Sequence, residues 1–218
     1  MSPSQAPVFT TNYQRVRVLL LKIFIMVQAF EKLHTISAEG LEWNIVQHEG
    51  GSFLQAGENQ FASFWTRDFC WSVPGLLCLG KTEVVKNHVT YLLDSLHVEK
   101  NTVPRLLDFG SGKMRVVAHT VGRSLGLPVL LSLMKKGSTL TPEYYGEHST
   151  SAVDGNLLTL IASAQYILHS GDNVWLIQNS QKLQDCYRHY ANLLDEEGLI
   201  VQPAFSDWQD SLSREGRT

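Results

Sequence analysis

A chain of 218 residues, 44% apolar, 18% charged and 10% aromatic, has the composition of a protein that buries a sizeable core, which excludes disordered and collagen-like classes. Its 18 Lys and Arg against 21 Asp and Glu give a net charge of −3, so there is no basic footprint for a nucleic-acid backbone. Cys70, Cys78 and Cys186 are an odd number without C-x-x-C or zinc spacing, and all three read as buried thiols rather than a disulfide framework.

In chain order, residues 1–13 are polar, carry Pro3 and Pro7, and read as a flexible N-terminal arm, with one domain region over 14–218. The pattern from there to Ile36 is helical. Its most apolar run, Val16 to Phe30, is interrupted by Arg17 and Lys22 and falls short of the ~20 residues that span a bilayer. No small-residue cleavage site follows it, so the expectation is a cytoplasmic protein with a mostly buried first helix and no membrane contact. His48 to Gly57 holds too many glycines for a helix or a central strand and reads as loop.

Helix resumes near Asp68 and ends by Gly80, and Val85, Val89, Leu92 and Leu96 then fall on one helical stripe. Asn101 to Gly112 is loop, and Gly122, Gly126 and Pro128 mark a broken helix. Two clear helices follow. The first, Val153 to Leu168, places Leu157, Ile161, Ala164 and Leu168 on one face; the second, Asn173 to Leu194, places Leu176, Leu183, Tyr187, Tyr190 and Leu194 together, with Gly171 as the tight link. With no alternating strand pairs, the fold class is mainly α, built of helical hairpins with long loops on one side.

Three motifs mislead. Leu106-Leu-Asp-Phe-Gly-Ser-Gly-Lys-Met114 is like a nucleotide-binding turn, but its third glycine is missing and no acid lies between Asp108 and Glu143 to hold a ribose. Gly122-Arg-Ser-Leu-Gly126 matches a nucleophile elbow around Ser124, yet helices follow it where a parallel sheet is needed. The eight histidines are scattered without metal-ligand spacing.

Three further segments set acids and aromatics at loop-to-helix junctions: Phe64-Trp-Thr-Arg-Asp-Phe-Cys-Trp-Ser-Val-Pro-Gly-Leu-Leu77, then Tyr144-Tyr-Gly-Glu-His-Ser-Thr-Ser-Ala-Val-Asp-Gly-Asn-Leu-Leu158, then Phe205-Ser-Asp-Trp-Gln-Asp-Ser-Leu-Ser-Arg-Glu-Gly216. Flat apolar rings such as Trp65 and Trp71, beside the donor fork of Arg67 and the acceptors of Asp68, are what a sugar needs, with its C–H faces and paired hydroxyls. Taken singly, each acid has a structural alternative. Asp68 suits a helix N-terminus, Ser151 to Asp154 forms an imperfect capping box, and Ser206 with Gln209 forms a proper one. Their recurrence at the same end of successive helices is harder to explain that way.

W-x-R-D before an apolar Pro-Gly-Leu-Leu helix, then V-D-x-x-L-L, then D-W-x-D, in that order, resembles the six-hairpin glycosidases, among them the glucosidase domain of glycogen debranching enzymes and the neutral invertases. The resemblance covers about Gly50 to Arg217. It implies an (α/α)6 toroid of helical hairpins whose loops hold the sugar at one end, with this chain as its N-terminal part.

By the same resemblance Arg67 and Asp68 bind hydroxyls of the terminal sugar, Trp65 lines the site, and Asp154 is a further ligand. Asp210 is the general acid, positioned by Asp207 and Trp208, with the Trp208 ring desolvating its carboxyl. No metal or cofactor is implied. An inverting mechanism needs a second carboxylate about 6.5–9.5 Å away, and in the resembled family that Glu lies beyond residue 218, so the chain is expected to bind an oligosaccharide or glycoside weakly and hydrolyse little. A half barrel also exposes apolar helix faces that invite association. The alternatives are a non-catalytic carbohydrate-binding or interaction module, and a serine acyl hydrolase using Ser124.

Overall fold

A computed structural model describes residues 9–48, 50–57, 63–109, 140–146, 148–206 and 216–217. Ser124, the expected broken helix around it, and the D-W-x-D residues Asp207, Trp208 and Asp210 lie outside the described residues. The chain forms two units, Met1–Glu42 and Trp43–Thr218.

The first unit is helix α1, Phe9–Trp43, which extends past both ends of the helical pattern expected from sequence. Taken by itself this unit leaves apolar side chains such as Leu20, Phe24, Phe30 and Leu33 exposed, because among its described residues no second element covers them. Among the described residues no helix is long and apolar enough to cross a membrane.

The second unit opens with an antiparallel hairpin, β1 (Ile45–His48) and β2 (Gly51–Leu54), where loop was expected. The glycines that argued against a strand serve the reversal. Gly51 adopts φ +123°, and a Cβ there would sit 2.4 Å from the Asn87 amide nitrogen. The apolar residues Ile45, Val46, Phe53 and Leu54 pair across the ladder, and Phe53 is fully buried.

β3 (Phe64–Trp65) leads directly into α2 (Thr66–Cys78), which Gly80 closes at φ +70°. There Gly80 N–H donates to Leu77 O and Lys81 N–H to Leu76 O, the paired bonds that satisfy a helix's last carbonyls. In α3 (Thr82–Asp94) the expected stripe Val85, Val89 and Leu92 is fully buried, while Leu96 falls past the helix end and is half-buried. β4 (Leu106–Phe109) lies between β3 and β5 (Leu140–Glu143), both antiparallel to it. This sheet was not expected. It places the Leu106–Phe109 segment in an antiparallel setting, unlike the parallel strand that a dinucleotide-binding turn requires.

α4 (Gly155–Ser170) and α5 (Asn173–Ala191) are joined through Gly171 at φ +67°. Their buried faces differ from the expected ones. α4 buries Asn156, Thr159, Ala162, Ser163 and Tyr166, leaving Ile161 44% and Leu168 87% exposed. The polar face buries without orphaned hydroxyls because Thr159 donates to Gly155 O at 2.8 Å and Ser163 to Thr159 O at 2.7 Å. α5 buries Trp175, Asn179 and Cys186, a stripe one residue ahead of Leu176 and Tyr187, with the Trp175 indole N–H anchored on Thr90 Oγ1 at 2.7 Å.

A last short pair, β6 (Val201–Gln202) and β7 (Gly216–Arg217), is antiparallel. The fold is therefore mainly helical with small sheets. α2 packs on α3 and α4, and α5 packs on α3 and α4, so two helical hairpins share one interface. The core fills the space among α2, α3, β2 and the three-stranded sheet, with Phe53, Phe64, Phe69, Val73, Leu92 and Leu107 at its centre. Cys70 and Cys186 are buried, and desolvation is the first cause pushing each thiol up to about 12; Cys78, expected inside, is exposed near the end of α2.

Candidate functional site

The loop-to-helix junction at the start of α2 is fixed by main-chain and hydroxyl bonds to a distant segment. Thr66 N–H donates to Arg105 O at 3.1 Å and Thr66 Oγ1 to Pro104 O at 2.5 Å. This satisfies an amide that a helix start would otherwise leave unpaired and sets the direction of the next side chain, Arg67.

Arg67 meets Asp154 at the start of α4 through two hydrogen bonds, Nε to Oδ2 at 2.6 Å and Nη2 to Oδ1 at 2.9 Å. Asp154 occupies the N-cap of α4 but makes no side-chain cap bond. Its carboxylate turns to Arg67 instead, so the capping-box alternative for Ser151 to Asp154 does not describe this segment. A planar fork on a carboxylate is the most directional ion pair available to proteins.

Arg67 and Asp154 line a small, shallow cleft that is open to solvent. Trp65 and Arg105 also line it, with the Arg105 guanidinium 4.8 Å from the centre of the Trp65 ring and a nitrogen 4.0 Å from Glu143. Thr66, Gly146, Thr150, Ala152, Gly155 and Phe205 complete the lining.

The loop after β5 reaches the cleft through a tight reversal. Gly146 N–H donates to Thr150 O at 2.9 Å, and Ser149 takes a left-handed φ of +60°. A Cβ at Gly146 would come within 3.3 Å of Arg105 Nη1, so the backbone lies close against that guanidinium. Beyond the reversal, Thr150 Oγ1 donates to Phe205 O at 2.8 Å and Val153 N–H to Ser206 O at 3.0 Å. The His148 ring stacks on Phe205 with centroids 3.9 Å apart. Ser206 immediately precedes Asp207. The segment leading into D-W-x-D is thus stitched to the loop that carries Asp154.

Of the residues expected at a site, Trp65, Arg67 and Asp154 are brought to one cleft. Asp68 is not part of its lining; it lies in the exposed first turn of α2. Its carboxyl is raised above its ordinary value chiefly by desolvation, against which its own backbone N–H and the Arg67 charge pull downward. Trp71 is 72% exposed on α2. Asp207, Trp208 and Asp210 fall outside the described residues.

Two residues of the site carry no sequence signal of their own. Arg105 sits in a Val-Pro-Arg-Leu-Leu run within the segment expected as loop; only a charge amid apolar neighbours hints at a role. Asn156, 1% exposed, accepts from Val103 N–H at 3.0 Å and donates to Asn101 O at 2.8 Å and Cys186 O at 3.3 Å. It ties the segment before Arg105 to α4 and α5, next to Asp154.

The cleft therefore offers guanidinium donors, a carboxylate acceptor and an indole ring within one small volume, the chemical inventory that recognises a polyhydroxylated ligand. Among the described residues, no group of three or more His, Cys, Asp or Glu side chains is placed to hold a metal ion. Neither a family model nor a curated protein matches the chain.

Proposed function

We propose that the chain is a glycoside hydrolase domain of the six-hairpin type, inverting and exo-acting on glucosides or related oligosaccharides, with Asp210 as general acid and Arg67, Asp154 and Trp65 binding the sugar before the scissile bond. The observation that carries this reading is convergence. Two of the three segments that together carry the resemblance are joined at one cleft, Arg67 from the first being bonded to Asp154 from the second, and Phe205 and Ser206, just ahead of D-W-x-D, are bonded to the loop of the second.

Two helical hairpins packed side by side are the unit that an (α/α)6 toroid would repeat. The Trp65 ring suits a sugar face, and Arg67, its fork held by Asp154, offers its remaining N–H donors to a hydroxyl. In this reading Asp68, outside the cleft lining, acts on the hydroxyl network only through its neighbour Arg67, and Asp207 and Trp208 position Asp210.

The test is saturation-transfer NMR on the purified chain with maltose, sucrose and an aryl α-glucoside, together with release of the aryl group. The expected result is transfer from at least one glycoside that drops at least tenfold on Arg67→Ala with the helical circular-dichroism signal retained, while Asp210→Asn keeps binding and removes any turnover. Absence of transfer from all three ligands, or transfer indifferent to Arg67→Ala, overturns the reading. Labelling of Ser124 by a fluorophosphonate would replace it with an acyl hydrolase.

A further inference from the structure

His88 has no place in the cleft chemistry, yet it sits directly behind the corner that carries it. The side chain is 0% exposed, and among the described residues neither ring nitrogen makes a hydrogen bond. Its ring stacks on Phe69 with centroids 3.7 Å apart and planes 20° from parallel, and Phe53 and Phe64 meet it edge-on at 5.6 and 5.9 Å. Phe64 is the residue before Trp65, and Phe69 lies two residues after Arg67. A phenylalanine or leucine would fill this box without burying two polar atoms, so the imidazole is a cost that packing does not explain.

We propose that His88 is an acid-sensitive positioning residue: neutral, it wedges the Phe53, Phe64 and Phe69 box and holds the Phe64–Cys70 corner at the cleft; protonated, it leaves the box and the corner opens. A cation is costly there, because the imidazole is fully buried and among the described residues no acceptor bonds to either nitrogen. Among the described residues, the rings in contact with it are Phe53 from β2, Phe64 from β3 and Phe69 from α2. The titratable groups on α2 and α3 are Arg67, Asp68, Cys70 and Cys78, then Glu83, Lys86, Tyr91 and Asp94; those on α4 and α5, which also pack on α3, are Tyr166 and His169, then Lys182, Asp185, Cys186, Tyr187, Arg188, His189 and Tyr190, and none of them is bonded to it. Desolvation is the one cause acting on the imidazole, holding it neutral down to about 3 in the closed state.

The sign follows from linkage. Opened, the imidazole titrates near its ordinary 6.5; closed, it titrates far lower. The open state therefore binds the extra proton, and the closed state is favoured fully above pH 6.5 and progressively less below it. One proton per opening makes the opening constant rise tenfold for each pH unit in that window.

Hydrogen exchange followed by mass spectrometry on the full chain, from pH 7.5 to 4.5 and corrected for intrinsic exchange rates, reads this directly. Peptides over Phe64–Cys70 are expected to lose protection tenfold per unit below pH 6.5, ahead of peptides over Asn173–Ala191, and His88→Phe is expected to flatten that dependence. If wild type and His88→Phe lose protection in step, or if α5 opens together with the corner, the proposal fails. Should His88→Phe not fold, imidazole carbon shifts of the wild type decide: a protonated His88 with the corner still protected refutes it, and protonation coincident with opening supports it.

Discussion

Arg67 and Asp154, 87 positions apart, are joined by two hydrogen bonds, from Nε to Oδ2 at 2.6 Å and from Nη2 to Oδ1 at 2.9 Å, with side chains 26% and 31% exposed. The pair fixes the start of α2 against the start of α4, the two helices that pack along each other. Removing either partner leaves a half-buried charge without its counterpart, so Arg67→Ala and Asp154→Ala should each lower stability by about 1–3 kcal/mol. In a double-mutant cycle the coupling should exceed about 1 kcal/mol. Additive losses in chemical denaturation would show that the pair contributes nothing as a unit. Arg67→Lys should recover little, since an ammonium cannot make the fork.

Asn156 makes three hydrogen bonds from a fully buried amide. Asn156→Leu, close in volume, strands Val103 N–H and the two carbonyls, and should cost about 2–4 kcal/mol in urea unfolding, at the upper end of what unsatisfied buried groups cost. Asn156→Asp keeps the acceptor and loses the donors, and should fall between the two proteins. A leucine variant as stable as wild type would mean the loop repacks around other partners.

At the link between α4 and α5, Asp172 accepts from Trp175 N–H at 3.0 Å, Lys86 Nζ at 2.8 Å and Tyr166 Oη at 2.7 Å. Lys86 is the largest cause holding the carboxyl down to about 2, with Trp175 N–H and Tyr166 adding to it. The folded value lies below the ordinary 3.8, so the stabilisation is present above pH 3.8 and is lost as the pH falls through about 2. Thermal melts of Asp172→Asn and wild type should differ at pH 6 and converge toward pH 2. A constant gap across that range would assign the effect to shape rather than charge.

Gly51 holds φ +123° beside the Asn87 amide, 2.4 Å from where a Cβ would sit. Gly51→Ala should therefore destabilise by about 1–3 kcal/mol from backbone strain, with Asn87 moving aside. Combining it with Asn87→Ala should recover the steric part and leave the strain. Full recovery in the double variant would place the whole cost in the contact.

Much of the helical framework was legible because it follows hydropathy. Val85, Val89 and Leu92 repeat with the helical period, and Gly80 and Gly171 stop their helices in left-handed turns. The faces of α4 and α5 were not legible, since α4 buries Thr159 and Ser163, whose hydroxyls turn back onto their own helix, and a hydropathy count sees only that they are polar. The β1–β2 hairpin was hidden by its glycines, and β4 by the prolines and glycines around it. For the site, Arg67 and Asp154 could be read as residues but not as partners, because nothing local encodes a contact across 87 positions. Arg105 and Asn156 take their roles from packing alone.

The bonds that stitch Thr150 and Val153 to Phe205 and Ser206 have a consequence for how the chain folds. The hairpin of α4 and α5 closes through a two-residue link and pays little loop entropy, whereas the cleft requires closures over 55 and 87 positions. Helical signal should accordingly recover first on dilution from denaturant, with fluorescence from Trp65 following in a slower phase as the cleft assembles.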